Sequence, residues 1–257
     1  MSSRPAWIVL AAISACDQPG ASSPPAGELP AEAPRVEANA SSAAVPAGIV
    51  RGRFEISGPL PARPRLALDP SAGCGAVTEI ESEKLIADNG RVANVLVRVV
   101  GGLSQKDWPA PATPAVLDQT GCVYRPHVLA VQVGQRLLVR NGDPAVHNVN
   151  VGAKLNDRAN FNRSHAPGSA DISVEFDHPE LSIPFRCDIH PWMQAWVHVL
   201  PHPFFDITGS DGEFEIRGLP PGRYELEYVH EVLGRQRFEA ELSADAGAEF
   251  VIATRAK

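Results

Sequence analysis

Between residues 182 and 200 the sequence reads SIPFRCDIHPWMQAWVHVL, and in it Cys187, His190 and Met193 follow one another at intervals of three. Thiolate and thioether are soft donors, and imidazole suits late first-row transition metals. Two histidines, one cysteine and a weak axial methionine form the donor set of a type 1 copper site, which moves single electrons. Residues 187–193 supply three of the four. The stretch VRNGDPAVHNVN supplies a second histidine, His147, forty residues upstream of Cys187. A strand carrying His147 beside the strand that ends at Cys187 would gather all four at one end of a β-sandwich. Zinc accepts a His2Cys set but seldom recruits methionine. A c-type haem is excluded because no C-x-x-C-H occurs. The alternative is a metal-free strand pair in which these residues are incidental.

The elements that must hold this set read as strands. GIVRGRFEI (48–56) and VANVLVRVV (92–100) are rich in β-branched residues, and HVLAVQVGQRLLVRNGD (127–143) reads as two strands around Gly134 closed by a turn. DISVEF (171–176) and AWVHVL (195–200) alternate, and no stretch of ten or more residues carries a helical period. The expectation is an all-β chain with strands at sandwich spacing. From residue 202 a second unit has an Asp-Gly turn at 211–212, alternating Phe214 and Ile216, a Pro-Pro-Gly turn at 220–222, then Tyr224, Leu226 and Tyr228.

Two resemblances attach to these patterns. YRPHVLAVQVGQRLLVRNGDPAVHN followed by CDIHPWM resembles the cupredoxin family, in particular the C-x2-H-x2-M ligand loop of its amicyanin branch. The resemblance covers roughly residues 92–200. It implies a Greek-key sandwich holding one type 1 copper through His147, Cys187, His190 and Met193. It also implies that Asn148 ties the two ligand-bearing segments by hydrogen bonds, and that Trp192 and Pro191 form an apolar surface around an exposed His190 edge, the electron port. Two stretches depart from the family pattern: 102–122 reads as an insertion and 152–171 as a long polar loop. Residues 202–254 resemble the carboxypeptidase regulatory-like module, a small immunoglobulin- or transthyretin-like sandwich without chemistry of its own. The expected organisation is a leader (1–15), a Pro/Ala/Ser-rich tether (16–46), a β segment (47–91), the copper domain (92–201) and the C-terminal sandwich (202–257). Whether 47–91 extends the copper domain or stands alone is open at this stage.

Whole-chain properties bound the setting. A formal charge of −7 argues against nucleic acid as a partner. The start, MSSRPAWIVLAAISAC, has one positive charge and an apolar run too short to span a bilayer. Its end resembles the lipobox of bacterial lipoproteins, which implies cleavage before Cys16, lipidation there and a place in the periplasm or cell envelope. An ordinary secretory signal is the alternative. Residues 17–46 contain six prolines and no aromatic residue, the composition of a tether. Of four cysteines, Cys16 and Cys187 are then spoken for, so Cys74 and Cys122 are expected to pair in an oxidising compartment, with two buried free thiols as the alternative. His127 reads as a strand-edge residue. His165, His178 and His198 read as solvent-facing or loop-bound, and His202 and His230 as interface residues or a second metal site. The functional expectation is a lipid-anchored carrier of electrons between a redox donor and an acceptor, not an enzyme. A copper storage or delivery module is the alternative.

Overall fold

A period of two puts every second side chain on one face of a pleated strand, and the runs behave accordingly: in Glu213–Arg217, Phe214 and Ile216 are buried while Glu213 and Arg217 face water. The structure, a computed structural model, describes residues 35–38, 48–60, 62–75, 77–104 and 107–255. Cys16 and the expected leader lie outside these residues. The described part is all-β, its only helical turns being short 3-10 segments at Pro70–Ala72 and Asp157–Ala159.

In chain order the first strands are β1 (Arg35–Ala38), β2 (Ile49–Ser57), β3 (Arg65–Ala67), β4 (Glu79–Glu81), β5 (Ala87–Asp88), β6 (Arg91–Val92) and β7 (Leu96–Gly101). Next come β8 (Ala115–Gln119), β9 (Tyr124–Arg125), β10 (Val128–Gln132), β11 (Leu137–Asn141), β12 (His147–Val151), β13 (Phe161–His165), β14 (Ile172–Val174), β15 (Glu180–Arg186) and β16 (Gln194–Leu200). The last are β17 (Phe205–Ile207), β18 (Glu213–Arg217), β19 (Gly222–His230), β20 (Gly234–Leu242) and β21 (Ala248–Arg255).

Two sandwiches result, and their boundaries differ from the expected ones. Strands β8 to β16 form one sandwich, with sheets ordered β10-β16-β15-β12-β13 and β14-β11-β8-β9. Its core joins Leu117, Leu137 and Val139 to Val149, Ile183, Phe185 and Val197. The other sandwich is assembled from both ends of the chain: sheet β1-β21-β2-β6-β5, with β18 on β2, faces sheet β17-β7-β19-β20. Within 47–91, β2, β5 and β6 therefore belong to this second sandwich while the β3–β4 hairpin packs on the first, and the strands of 202–257 complete sheets begun by β2 and β7. The strand at 92–100 also belongs here. Val97 and Val99 pack with Phe54, Leu226 and Tyr228, because β7 pairs with β19 (Tyr228↔Val97) rather than with the first sandwich. The first sandwich is thus an insert in the second, entering after β7 and leaving before β17, which are themselves paired.

Other local expectations are corrected in the same way. The supposed insertion at 102–122 contains β8, a parallel partner of β11, and the supposed loop at 152–171 contains β13, which pairs with β12. Within the expected tether, Arg35–Ala38 adds antiparallel to β21. Backbone pairing satisfies a sheet edge without needing apolar side chains there. The Asp-Gly turn is as expected. Gly212 has φ +71, a Cβ on it would lie 2.8 Å from the Phe54 carbonyl, and its own carbonyl accepts from Phe54 N at 2.8 Å.

His198, expected to face solvent or lie in a loop, is buried, and so is His230. Burial, reinforced by Arg98, pushes His198 down to about 3, and burial pushes His230 down to about 4 against the opposing pull of Glu231. Unfolded, both rings take a proton near the ordinary value of 6.5. As pH falls below 6.5 the unfolded chain therefore binds protons that the folded chain refuses, and stability falls with it, by about 2.7 kcal/mol per pH unit for two such groups. Urea midpoints of the metal-free protein should drop steeply from pH 7 to pH 5. A midpoint flat across that interval would contradict the burial of both rings.

Candidate metal centre

Strand β12 begins with His147, and β15 runs antiparallel to it (Asn150↔Arg186), ending just before Cys187. The turn from β15 to β16 carries His190 and Met193. Two backbone bonds close that turn into a small ring: Met193 N donates to His190 O at 2.8 Å, and Cys187 N donates to Met193 O at 3.1 Å. His147 Nδ1 and His190 Nδ1 are 2.9 Å apart, and Cys187 Sγ lies 3.8 Å from the first and 3.6 Å from the second. All three are buried, and Met193 is 1% exposed in the same core cluster as Cys187.

The hydrogen bonds on the far side of each ring decide what this triangle can hold. His147 Nε2 faces Asp143 Oδ2 at 2.9 Å, and His190 Nε2 faces the Ala72 carbonyl at 3.1 Å. Both partners are acceptors, so each Nε2 carries the hydrogen and each Nδ1 presents a lone pair inward. Burial pushes His147 below its ordinary value, outweighing the hydrogen bond it donates to Asp143 and favouring the neutral ring. Two inward nitrogens 2.9 Å apart are joined by a cation, a shared proton or a metal ion. A thiol within 4 Å of both makes a soft metal ion the fitting one. The described residues thus fit a trigonal His2Cys copper site.

Asn148 makes the bonds expected of it. Its Oδ1 accepts from Asp188 N (2.7 Å) and Ile189 N (3.3 Å), and its Nδ2 donates to Asp188 Oδ2 at 3.0 Å. Asn150 and Asn162 also donate to Asp188, so three amides hold its carboxylate, which stays well below the usual carboxylate range because of them. Tyr124, buried beneath, donates to the Arg186 carbonyl at 3.2 Å.

The electron port is where structure and expectation part. His190 is 1% exposed, covered by the segment from β3 to β4. The Cys74–Cys122 disulfide forms, with Cα atoms 5.6 Å apart, and staples this cap to the insert. Leu68, Cys74, Cys122 and Ala145 make a small apolar cluster, with Val77, Ile80 and Trp192 against it. Trp192 is half-buried, its ring centre 5.2 Å from that of His190, and its Nε1 donates to the Cys122 carbonyl at 3.0 Å. It does not stand on an open apolar surface. Its other face, with Pro191, Leu66, Ile80 and Val123, lines a recess of about 360 Å³.

Sequence reasoning missed Asp143 and the cap. Gly121 (φ +68) and Cys122 (φ +55) turn successive N–H groups onto the Asp143 carboxylate at 2.6 and 2.9 Å. One carboxylate therefore joins a disulfide half to a ligand histidine. Its signal was the Asp-x3-His spacing in a stretch read only as a turn, whereas Ala72 acts through a carbonyl and leaves no signal. His127 bridges segments through Gln194 O (3.1 Å) and Glu231 Oε1 (2.5 Å). His165, expected near solvent, is buried opposite His147 and bonded to Gln119 Oε1 at 2.8 Å. His202 and His230 spend ring nitrogens on backbone groups and join no metal-competent cluster among the described residues.

No protein-family model matches the chain, and no curated protein does. Solved structures similar to part of it are cupredoxins. The copper-containing nitrite reductase of Thermus scotoductus SA-01 aligns over 38% of this chain and 25% of its own, at 19% identity and TM-score 0.31. A mutant amicyanin in the Cu(I) form aligns over 38% and 97%, at 22% and 0.31. A purple cupredoxin from Nitrosopumilus maritimus aligns over 33% and 98%, at 22% and 0.28. The alignments span about two-fifths of this chain or less, and only a quarter of the reductase.

Replacing Asp143 with Asn removes the charge that holds His147 and leaves one acceptor oxygen where Gly121 N and Cys122 N now use two. Asp143→Asn should weaken copper binding by roughly 10- to 100-fold with the sheet circular dichroism unchanged. Chelator competition measures this, and an unchanged affinity would show that Asp143 is not positioning the ring.

Proposed function

We propose that this chain is a type 1 copper protein that passes single electrons between a redox donor and an acceptor, held at the cell envelope through a lipid on Cys16. The observation that supports this most is the His147–Cys187–His190 triangle with both outer ring nitrogens already committed. Copper bound there, one per chain, would supply a one-electron Cu(II)/Cu(I) couple. Met193, buried in the same loop, is the fourth donor of the reading.

The protein's own part is to hold the donors still. Neither histidine can turn without breaking a bond to Asp143 or Ala72, and the loop carrying Cys187 is pinned by Asn148. Donors that do not move between redox states keep the reorganisation cost of electron transfer low. With the His190 edge capped, Trp192 is the side chain that reaches from the ring to the recess, and the reading routes electrons through it. The metal-competent groups among the described residues overlap in Cys122, His147 and His190, one neighbourhood rather than several. That overlap supports a carrier over a multicopper enzyme. The cap itself favours a second reading, a copper storage or delivery module, since a sealed site retains its ion.

Copper-loaded protein should be intensely blue, and Cys187→Ser should be colourless with its sheet signal intact, because a hydroxyl is a poor soft-metal donor. Wild-type protein that stays colourless and takes only zinc would end the copper reading. Absorption and EPR spectra decide it.

Trp192→Ala separates the two readings. A carrier should keep most of its blue absorption yet accept electrons from its donor about tenfold more slowly, equivalent to about 1.4 kcal/mol of lost coupling. A delivery module should show unchanged electron exchange and faster loss of copper to a chelator. Stopped-flow reduction and chelator challenge on the same variant give both numbers.

A further inference from the structure

We infer that Cys74 and Cys122, once reduced, form a second soft-metal site with His190, one that takes Cu(I) and is abolished whenever the disulfide re-forms. The two sulfurs and one ring nitrogen of His190 all lie within 4.8 Å of one another, and all three residues are buried. Cys122 Sγ is also within 4.8 Å of a ring nitrogen of His147 and a carboxylate oxygen of Asp143. Cysteines with Cα atoms 5.6 Å apart can bond to each other or stand on either side of an ion. With metal–sulfur bonds of about 2.3 Å, the sulfurs need separate only to about 4 Å. Two thiolates and an imidazole are donors that favour Cu(I).

The seal over the first site gives the second one a purpose. His147, Cys187, His190 and Met193 are at most 2% exposed, so with the cap stapled an arriving ion meets none of them at the surface. Cys74, at 7%, is the outermost sulfur of the group. A dithiol reductant delivers two electrons and two protons to the S–S bond and becomes a disulfide itself, leaving two thiols. Cu(I) then displaces both thiol protons without changing oxidation state. Exchange in the reverse direction with an oxidised dithiol re-forms the Cys74–Cys122 bond, removes this ligand pair, and leaves His147, Cys187 and His190 as the remaining set. Copper would thus enter through a site that exists only in the reduced state and be shut in by oxidation.

Cys187→Ser combined with Met193→Leu isolates the second site by removing both sulfur donors of the first. Under anaerobic competition from a Cu(I) chelator, this variant should bind no Cu(I) with its disulfide intact and one equivalent after reduction by a phosphine. Cu(I) should also protect Cys74 and Cys122 from alkylation, read by mass spectrometry. If reduction loosens the fold, adding Cu(I) should restore the sheet circular dichroism. A reduced variant that binds no Cu(I), alkylates equally fast with the ion present, or stays unfolded in its presence overturns the proposal. The test is independent of the carrier reading: a wild-type protein without blue colour could still pass it, and a blue one could still fail.

Discussion

Two buried imidazoles have given away their outer nitrogens, and the rest of the site follows from that constraint. Once Asp143 and the Ala72 carbonyl accept from His147 and His190, the inner nitrogens must face each other bare. Leaving buried polar groups so placed, with no cation between them, costs free energy comparable to a lost hydrogen bond each. Strand pairing, the ring-closed loop and Asn148 add rigidity around this arrangement, but none of them alone fixes which nitrogen points inward. The acceptors do that, and both belong to segments that the disulfide binds together.

The consequence is that the inserted sandwich does not own its site. Ala72 and Cys74 come from the segment between β3 and β4, a two-stranded hairpin of its own, while Cys122 and Asp143 come from the insert. Arg125 of the insert also pairs with Glu83 beyond β4, and His127 reaches Glu231 at the end of β19. The β3–β4 hairpin, whose place the sequence left open, is thus the neighbour that closes over His190.

That His147, Cys187 and His190 meet was legible because their residue types are rare and closely spaced, and because a strand with a period of two can be read locally. The all-β class was legible for the same reason. What could not be read is pairing across long separations. Val97 and Val99 look alike whether they face Phe185 or Tyr228, since an apolar alternation says that a partner exists and not which one. The exposed port was expected from a loop motif, yet exposure is set by whatever packs above, here a segment more than a hundred residues upstream of His190. Asp143 was visible only as turn chemistry, although its spacing from His147 matched a ring-orienting role.

The nested arrangement also sets an order of assembly. The outer sandwich pairs β2 with β21 in parallel, Val50 with Ala248, so it stays incomplete until nearly the whole chain exists. The insert is finished at Leu200, and its two ends leave on strands that pair with each other, Phe205 opposite Arg98. Carrying an insert that doubles the closing loop costs the outer body only about 0.6 kcal/mol. A chain emerging from its N-terminus would therefore have the cap, both stapling cysteines and all four donors in hand before the last strand of the frame arrives. The pocket can be assembled and covered by the β3–β4 hairpin while the outer sandwich is still open.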